Sequence, residues 1–532
     1  MKKITAILLS LLLIVSLCGC NSSGSSESTS SDTSPTASII NVAFCNNDRI
    51  NPYKCETEYN YYLSALLFDP LVKINENFEA EFFIAESISL QEKVRTVKIK
   101  NVNFTDGSPV TADDIVYSTE RAKESVKFSE QLSNILSCTR VDDRTVKFVL
   151  DDYDVNFQNL LTYPIIKKDS GDNFNSSKLE IPPIGCGKYI LDKENGQLKA
   201  NEAYYKGAAV NKTINLIHTP DDEALISAIN NNKITLWYSH DADKNSIVLN
   251  GGSISSNKNN LVYLGINLTK APFNIPEFRY ALNLGLNRET IVTRVFQNYA
   301  LASNGIFNPK WSAVSSIQKN PTKGDNNIFV ANLKEIGYNG KDNEGFYISK
   351  NGKRLSLNLL YCNESTTKER LSNEIVSQFK SLGIEVIAQG KSYNDYITAL
   401  TSKSFDIYIG ETRFLNNMDI SELVSENGKI NYGSPLFNNE KEEPEDDDSL
   451  DKTEDVKNET EDLYNTMSNV LSDYNQAIAE HYDVIETFNI IMPIIPICYE
   501  NGIISWQKGV SGVNPYYIDD PYHSLSTITV NK

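Results

Sequence analysis

The sequence is poor in histidine, in paired cysteines and in basic charge. It has 4 His and 8 Cys in 532 residues, with no Cys-x-x-Cys pair and no closely spaced histidines, so we expect no metal site. Lys and Arg number 50 against 69 Asp and Glu, which gives a formal charge of −19. Nucleic acids and anionic membrane surfaces bind clustered basic residues, so we expect neither as a direct partner.

Catalytic motifs are also missing from the sequence. The segment Gly509–Val513 fails the Gly-x-Ser-x-Gly pattern at its last position, and there is no His-Glu-x-x-His, P-loop or Gly-x-Gly-x-x-Gly. We therefore predict that the protein is not an enzyme and uses no cofactor. An exported hydrolase stays only as a less favoured alternative.

Long apolar runs are confined to the N-terminus. Ile4–Leu17 is an uncharged, mostly apolar run of 14 residues, whereas a membrane-spanning helix needs about 20. The run and the Leu-Cys-Gly-Cys sequence that ends at Cys20 resemble a bacterial signal peptide with a lipobox. This implies a signal peptide of residues 1–19, a lipid on Cys20 and a flexible tether over residues 20–38. The folded part is then held at the extracytoplasmic face of the membrane by the lipid anchor only.

Strand and helix patterns alternate along the rest of the chain. Val94–Ile99 alternates apolar and polar residues, which predicts a strand, and Leu261–Asn267 predicts a strand covered on both faces. Lys368–Leu382 predicts a helix that ends at Gly383, and Phe405–Ile409 predicts a further strand. The interleaving indicates a mixed α/β fold.

One stretch, residues 438–462, is unusually acidic. From Glu440 to Asp462 there are 13 acidic residues and 3 Lys, a net charge of −10. It lacks the residue order of a calcium loop, so we predict a solvated insertion or a disordered loop. Leu463–Phe488 then predicts one long helix.

Six cysteines follow Cys20, and they leave two possibilities open. Cys45 and Cys55 are close enough in the sequence to close a short disulfide loop. Alternatively, all six are buried as small apolar side chains.

Several motifs occur in a characteristic order. They are Val102–Ala122, Pro183–Tyr189, Tyr263–Asn267, Phe278–Asn283 and Asn287–Val292. This ordered set resembles family 5 of the bacterial extracellular solute-binding proteins, which includes oligopeptide-, dipeptide- and nickel-binding lipoproteins of ABC importers.

The resemblance implies a two-lobed periplasmic-binding-protein-like fold (type II, cluster C) of the α/β class, with an extra inserted domain and a hinge between the lobes. The hinge would be the strands Tyr263–Asn267 and Ile497–Asn501. The implied domains are lobe 1 (residues 39–75, 181–262 and 498–532), the inserted domain (76–180) and lobe 2 (263–497, which contains the acidic insertion 438–462).

The resemblance also implies a function. The protein would be the substrate-binding lipoprotein of an ABC importer, which captures a peptide or similar small solute between the lobes and delivers it to the permease and ATPase. It would act as a monomer. A surface lipoprotein of the same fold that senses a peptide signal without transport is the alternative.

Candidate ligand-binding residues follow the strand predicted at Phe405–Ile409. In peptide-binding relatives an Asp there clamps the amino group of the peptide, and by alignment it falls on Asn416, with Asp419 in a second acidic place. Glu411 and Arg413 are charges that this motif does not have. If Glu411 or Asp419 replaces the clamp, the ligand is still a peptide, and if Arg413 faces the cleft, it favours a carboxylate or another anion.

We therefore hypothesise that a loop from Glu411 to Asp419 contacts the ligand. Two further candidates are Asn46 and Tyr238. Asn46 ends the first predicted strand of the mature domain and is a candidate by position only, whereas Tyr238 ends a strand that resembles one reaching the cleft from the first lobe. Trp237, beside Tyr238, is predicted to be a core residue.

Overall fold

The structure is a computed structural model, and it describes residues 39–173, 181–240, 243, 247–318, 325–425, 428–434, 453–476 and 479–531. The predicted signal peptide, Cys20, the tether and residues 438–452 of the acidic insertion lie outside the described residues.

The strands of the described residues alternate with helices along the chain. In chain order the strands are β1 (Asn41–Phe44), β2 (Val72–Ile74), β3 (Ala80–Phe82), β4 (Ala85–Gln91), β5 (Val94–Ile99), β6 (Ile135–Asp142), β7 (Thr145–Leu150), β8 (Tyr189–Asp192), β9 (Gln197–Ala200), β10 (Thr213–His218), β11 (Leu236–Ser239), β12 (Gly252–Ile266), β13 (Ala300–Ala302), β14 (Gly340–Lys341), β15 (Tyr347–Ile348), β16 (Ser356–Cys362), β17 (Glu385–Lys391), β18 (Ile407–Arg413), β19 (Ile494–Trp506), β20 (Val510–Ser511) and β21 (Thr529–Val530).

The helices of the same residues are mostly amphipathic and cover the sheets. They are α1 (Glu58–Ser64), α2 (Ala112–Glu124), α3 (Asp222–Asn230), α4 (Pro276–Gly285), α5 (Arg288–Arg294), α6 (Asn326–Glu335), α7 (Thr366–Leu382), α8 (Tyr393–Thr401), α9 (Ser421–Val424), α10 (Thr453–Asn475) and α11 (His481–Ile491). No helix among the described residues has both the length and the apolar character needed to cross a membrane.

Three sheets organise these elements. The largest has the strand order β11-β19-β12-β18-β16-β17, with β13 also paired to β19. The second has the order β1-β10-β9-β8, and the third has the order β4-β5-β7-β6. Both parallel and antiparallel pairs occur in the largest sheet. The mixed α/β architecture predicted from the sequence is therefore present.

The two longest strands, β12 and β19, lie side by side in the middle of the largest sheet. They pair in antiparallel register from Gly252 opposite Trp506 to Gly265 opposite Ile494. β11 adds to one end of β19, and β18 adds to the other end of β12. The pair therefore joins two halves of the sheet that otherwise contain different strands.

Local sequence patterns predicted several elements well. β5 has the predicted bounds, and α7 ends at Gly383, whose φ of +91° is in the left-handed region that favours glycine. β12 begins earlier than predicted, at Gly252. The polar residues before Leu261 gave no strand pattern, and their pairing with β19 makes them a strand.

Two features around the acidic insertion differ from the prediction. Its last residues, Thr453–Asp462, lie within α10, so the alternative of a disordered loop does not hold for this part of the insertion. The single helix predicted over Leu463–Phe488 is two helices, because Glu480 caps α11 by a reciprocal pair of hydrogen bonds with Asp483. High charge does not by itself prevent a helix, since acidic residues favour the N-terminal turns.

The six described cysteines are free thiols, so Cys45 and Cys55 are not joined. Five of the six are buried, and Cys138 is partly buried. The alternative in which the cysteines serve as small apolar side chains is the one that fits the structure.

Arg288 of α5 is a buried cation that ties this helix to the largest sheet. It is 2% exposed, and its guanidinium donates to the carbonyl oxygens of Ser303 (3.1 Å), Pro496 (2.9 Å) and Asn283 (3.0 Å). Pro496 belongs to β19, so the helix is fixed to a central strand by a charge-assisted hydrogen bond.

Replacing Arg288 is expected to destabilise the fold. Arg288→Met removes the donors and leaves three buried carbonyl groups without them, which costs about 3 kcal/mol of unfolding free energy. Urea unfolding followed by circular dichroism measures the change. Arg294→Met on the same helix is the control, because its side chain is 67% exposed, and it is expected to change stability by about 0.5 kcal/mol or less. Equal losses in the two variants would contradict this role for Arg288.

Candidate functional site

Charged and polar side chains gather where three central strands of the largest sheet meet. Glu411 and Arg413 are two residues apart on β18, so they point to the same face of the sheet. On β12, Asn260 lies opposite Arg413 on one side and opposite Glu500 of β19 on the other. Lys258 precedes it on β12. This register brings groups that are far apart in the sequence together. They form one polar floor, which consists of Lys258, Asn260, Glu411, Arg413 and Glu500.

A cavity of about 340 Å³ opens above this floor. Its size is within the range of small-molecule sites in proteins. Besides the five floor residues, its lining consists of Glu58, His240, Asp243, Val262, Phe296, Ser365, Thr367, Lys368 and Leu371. The lining therefore combines charges of both signs with a small apolar wall.

The two floor carboxylates share one amide. The Nδ2 group of Asn260 donates to Glu411 Oε1 at 2.6 Å and to Glu500 Oε2 at 2.7 Å. Each carboxylate also has its own lysine, with Lys368 Nζ 3.2 Å from Glu411 Oε2 and Lys258 Nζ 3.4 Å from Glu500 Oε2. The network holds both carboxylates in place without blocking the cavity.

The surroundings shift the pKa values of the two carboxylates in opposite directions. Burial raises the pKa of Glu500 to about 7 against the pull of Lys258. At Glu411 burial also opposes ionisation, but Lys368, Asn260 and Lys258 together lower its pKa below the ordinary value. Glu411 is therefore the ionised carboxylate of the pair at neutral pH.

His240 stays neutral beside this network. Burial lowers its pKa, and the positive charges of Lys258 and Arg413 lower it further. Its backbone carbonyl accepts a hydrogen bond from Lys258 Nζ at 2.7 Å. His240 therefore helps to position Lys258 and adds no charge to the cavity.

Arg413 is the most accessible cation of the floor. Its side chain is 46% exposed, and Nη2 donates to Asp519 Oδ1 at 3.0 Å. Asn416 Nδ2 donates to the other oxygen of Asp519 at 3.1 Å. Burial opposes the charge of Arg413, but Asp519 holds its pKa above the ordinary value, so the guanidinium stays charged.

The structure separates the residues predicted after Phe405–Ile409. Glu411 and Arg413 line the cavity, but the loop predicted from Glu411 begins only after Arg413, because β18 continues to that residue by pairing with β12. Asn416 donates a hydrogen bond to Asp519 and does not line the cavity. Asp419 lies at a separate groove, where its carboxylate accepts hydrogen bonds from the backbone and hydroxyl of Ser421.

The two candidates chosen from strand ends do not line the cavity. Asn46 is exposed in a turn after β1, and its backbone N–H donates to His218 Nδ1 at 3.2 Å. Tyr238 is buried and packs edge-on against Tyr62 with ring centroids 4.8 Å apart. Trp237, at 7% exposed, is a core residue as predicted.

Sequence reasoning missed Lys258, Asn260, Glu500 and Lys368. Glu500 gave a usable signal, since it is the only charged residue of a mostly apolar strand, and a charge in such a strand needs a partner. The other three gave none, because their relation to Glu500 depends on strand register and on the docking of α7. Among the described residues, no three His, Cys, Asp or Glu side chains are grouped to hold a metal ion.

Glu500 is expected to make stability depend on pH. Its pKa of about 7 exceeds the ordinary 4.5, so the native state keeps a proton that the unfolded chain loses. The stabilisation is fully present below about pH 4.5 and is lost as the pH rises to about 7.

Glu500→Gln removes this pH dependence. The unfolding free energy of the variant minus that of the unaltered protein is expected to rise by on the order of 1 kcal/mol between pH 4.5 and pH 8. Urea unfolding at five pH values measures it, with the exposed Glu202→Gln as control. Two parallel stability curves would contradict the assignment.

Comparison with known proteins identifies the family of the chain. The family described as bacterial extracellular solute-binding proteins, family 5 Middle, matches residues 81–421, more than half of the chain.

Two curated relatives agree with this match. The oligopeptide-binding protein AppA of Bacillus subtilis (strain 168) is 27% identical over 367 residues, which cover 64% of this chain and 66% of the relative. The glutathione-binding protein GsiB of Escherichia coli (strain K12) is 24% identical over 313 residues, which cover 54% of this chain and 59% of the relative. The chain thus spans less than two thirds of the length of these relatives.

A solved structure covers more of the chain. The ABC transporter substrate-binding protein CtaP of Listeria monocytogenes has a TM-score of 0.67 at 19% identity, with 93% of this chain and 99% of that chain covered. The similarity confirms the two-lobed α/β fold predicted from the sequence. Family 5 proteins bind solutes and are not enzymes, in agreement with the missing catalytic motifs. The chain therefore belongs to the bacterial extracellular solute-binding proteins of family 5.

Proposed function

We propose that the protein is the substrate-binding subunit of an ABC importer, which captures a peptide or a similar small solute between its two lobes and delivers it to a membrane permease. One observation carries the proposal, namely the cavity of about 340 Å³ over the charged floor of the largest sheet. A concave space with charges of both signs can hold a solute that carries both an amino group and a carboxylate.

The chemistry of the cavity favours a peptide-like ligand. Glu411 offers a carboxylate for an ammonium group, and Arg413 offers a guanidinium for a carboxylate. Val262, Phe296 and Leu371 form an apolar wall that suits a side chain. The oligopeptide and the glutathione named for the two curated relatives point to the same class of ligand.

The proposed lobes are residues 39–75, 181–262 and 498–532 for the first, and 263–497 for the second, with 76–180 as the inserted domain. The sheet β4-β5-β7-β6 lies within residues 76–180, which supports the inserted domain. β12 and β19 run through both proposed lobes, as the strands of a hinge would. Closure around a solute is then a rotation about these strands.

The proposed location is the extracytoplasmic face of the membrane. The N-terminal sequence supports a lipid anchor at Cys20, and the permease and ATPase of an importer would be the protein partners of a monomeric binding protein. Sensing of a peptide signal by the same fold is the alternative that the experiments below separate from transport.

Replacing Arg413 is expected to weaken ligand binding. The unaltered full chain, purified in detergent, is screened by thermal unfolding against di- to pentapeptides at about 1 mM, because a ligand that binds only the native state raises the melting temperature. Calorimetry then measures the affinity of the best ligand for the unaltered protein and for Arg413→Ala. The loss of a charge-assisted contact is expected to lower the affinity of the variant at least about tenfold.

Arg140→Ala is the matched control for this substitution. Arg140 is also 46% exposed and also paired with aspartates, but it belongs to β6 of the proposed inserted domain. The affinity of the Arg140→Ala variant for the ligand is expected to be unchanged. Failure of every peptide to shift the melting temperature would overturn the proposed function.

Transport and sensing differ in a cell that lacks this protein. Import requires that uptake of the radiolabelled ligand is lost on deletion and returns with the unaltered gene. Loss of a transcriptional response with normal uptake would instead support sensing.

A further inference from the structure

Amide side chains join the proposed inserted domain to the proposed second lobe. Asn156 Nδ2 donates to the carbonyl oxygen of Asn417 at 3.1 Å and to the hydroxyl of Tyr474 at 2.9 Å. Asn417 Nδ2 donates in return to Asp154 Oδ2 at 2.8 Å. We call these three hydrogen bonds the amide contact. Asn156 and Asp154 belong to the inserted domain, whereas Asn417 and Tyr474 belong to the second lobe.

The inserted domain holds its side of the amide contact in place. Arg95 of β5 is fully buried, and its Nη2 donates to the carbonyl oxygen of Asp154 at 2.8 Å. The other side-chain oxygen of Asp154 accepts from the backbone N–H of Asn156 at 2.8 Å. The turn that carries both residues is therefore fixed to the sheet β4-β5-β7-β6.

The second lobe holds the loop of Asn417 from the side of β12. The backbone N–H of Phe414 donates to the carbonyl oxygen of Asn259 at 2.8 Å. Asn259 Nδ2 donates to the carbonyl oxygen of Leu415 at 3.3 Å and to the sulfur of Met418 at 3.1 Å. Asn259 lies in β12, one of the two proposed hinge strands, so this loop lies between a hinge strand and the inserted domain.

Buried apolar side chains continue the contact between the two bodies. Phe157 and Leu160 of the inserted domain belong to the same continuous core as Met418, Ile420 and Leu471 of the second lobe. Separation of the two bodies exposes apolar surface as well as hydrogen-bonding groups. Both effects favour the closed arrangement.

The amide contact lies outside the cavity over the polar floor. Asn156, Asn417 and Tyr474 do not line that cavity, so they do not contact a solute held there. They act on binding through closure. When only the closed form binds, the apparent dissociation constant is the intrinsic constant divided by the fraction of closed molecules.

We propose that Asn156 and Asn417 are positioning residues, which hold the second lobe closed against the inserted domain before a ligand binds and thereby raise the affinity for the ligand. The inserted domain is then the body against which the lobe closes. This inference rests on the proposed function, because it uses the proposed lobes and their hinge.

Trp311 of the second lobe reports on this contact without a ligand. It is 4% exposed, and its ring centroid lies 4.8 Å from that of His481. His481 Nε2 in turn lies 2.9 Å from the hydroxyl of Tyr474. The backbone N–H of Ser312, the next residue, donates to the carbonyl oxygen of Asn77 in the inserted domain at 3.1 Å. Opening of the contact is therefore expected to expose the indole of Trp311.

Asn156→Ala and Asn417→Ala are expected to raise the constant for acrylamide quenching of Trp311 at least about twofold, since the open form becomes more populated. Fluorescence of the ligand-free full chain in detergent is measured with and without Trp311→Phe in each background, and the difference isolates this tryptophan. Asn195→Ala is the control, because this asparagine also pairs with an aspartate, Asp192, at 2.8 Å, but within a turn of the first lobe. Unchanged quenching in both contact variants would overturn the inference.

Ligand binding separates positioning from damage to the fold. Calorimetry with the tightest-binding member of the di- to pentapeptide set is expected to show about three- to tenfold weaker affinity in each contact variant. Saturating peptide is expected to return the quenching of Trp311 to the value of the unaltered protein, because the ligand restores the closed form. Quenching that stays high at saturation, or an unchanged affinity, would contradict a positioning role.

The outcomes distinguish this inference from the proposed function. If no peptide binds, the proposed function fails, and the quenching of the ligand-free variants still decides whether the amide contact holds the protein closed. If peptides bind equally well to the unaltered protein and to both contact variants, the inference fails and the proposed function stands.

Discussion

The antiparallel pairing of β12 with β19 is the constraint on which the rest of the structure depends. These are the two longest strands of the sheet, and the backbone hydrogen bonds between them join β11 to the group of β18, β16 and β17. The same register decides which side chains meet. Asn260 lies between Arg413 and Glu500 only because its strand is paired on both edges, and a shift by one residue would turn it to the opposite face. The connection between the halves and the chemistry of the cavity therefore have one physical origin.

Charges this close to the centre of a sheet need compensation. Removal of Lys258 and Glu500 from water costs several kcal/mol for each ion, which their mutual attraction offsets only with good hydrogen bonding. Asn260 and the carbonyl of His240 supply part of that bonding, and the proton on Glu500 removes the rest of the unfavourable charge near neutral pH. The result is a floor with one firmly ionised carboxylate, Glu411, beside one accessible cation, Arg413. A ligand that binds at such a floor meets charges that the protein has already formed.

Sequence reasoning found what is local and missed what is long-range. The strand at Val94–Ile99 and the end of α7 at Gly383 follow from alternation and from the conformational freedom of glycine. Glu411 and Arg413 were identified because they depart from a motif, and both line the cavity. Tyr238 and Asn46 were chosen from strand ends, but a strand end does not determine which side of the chain faces the cleft. Lys258 and Glu500, 242 residues apart, could not be paired without the register of β12 and β19.

Asn416, the position on which the predicted alignment places the aspartate clamp of peptide-binding relatives, carries an amide that joins the two proposed lobes by a hydrogen bond. The aspartate that relatives of this kind use as a clamp is an acceptor, whereas the side-chain nitrogen of Asn416 donates to Asp519. A second carboxylate of the proposed first lobe, Asp243, accepts from the backbone N–H of Thr367 at 2.8 Å, at the start of α7. Acceptors therefore come from the first lobe and donors from the second at both contacts, and the helix dipole of α7 strengthens one of them. The negative charge that the clamp no longer supplies is found five positions earlier in the sequence, at Glu411, where β18 and not a loop fixes its position.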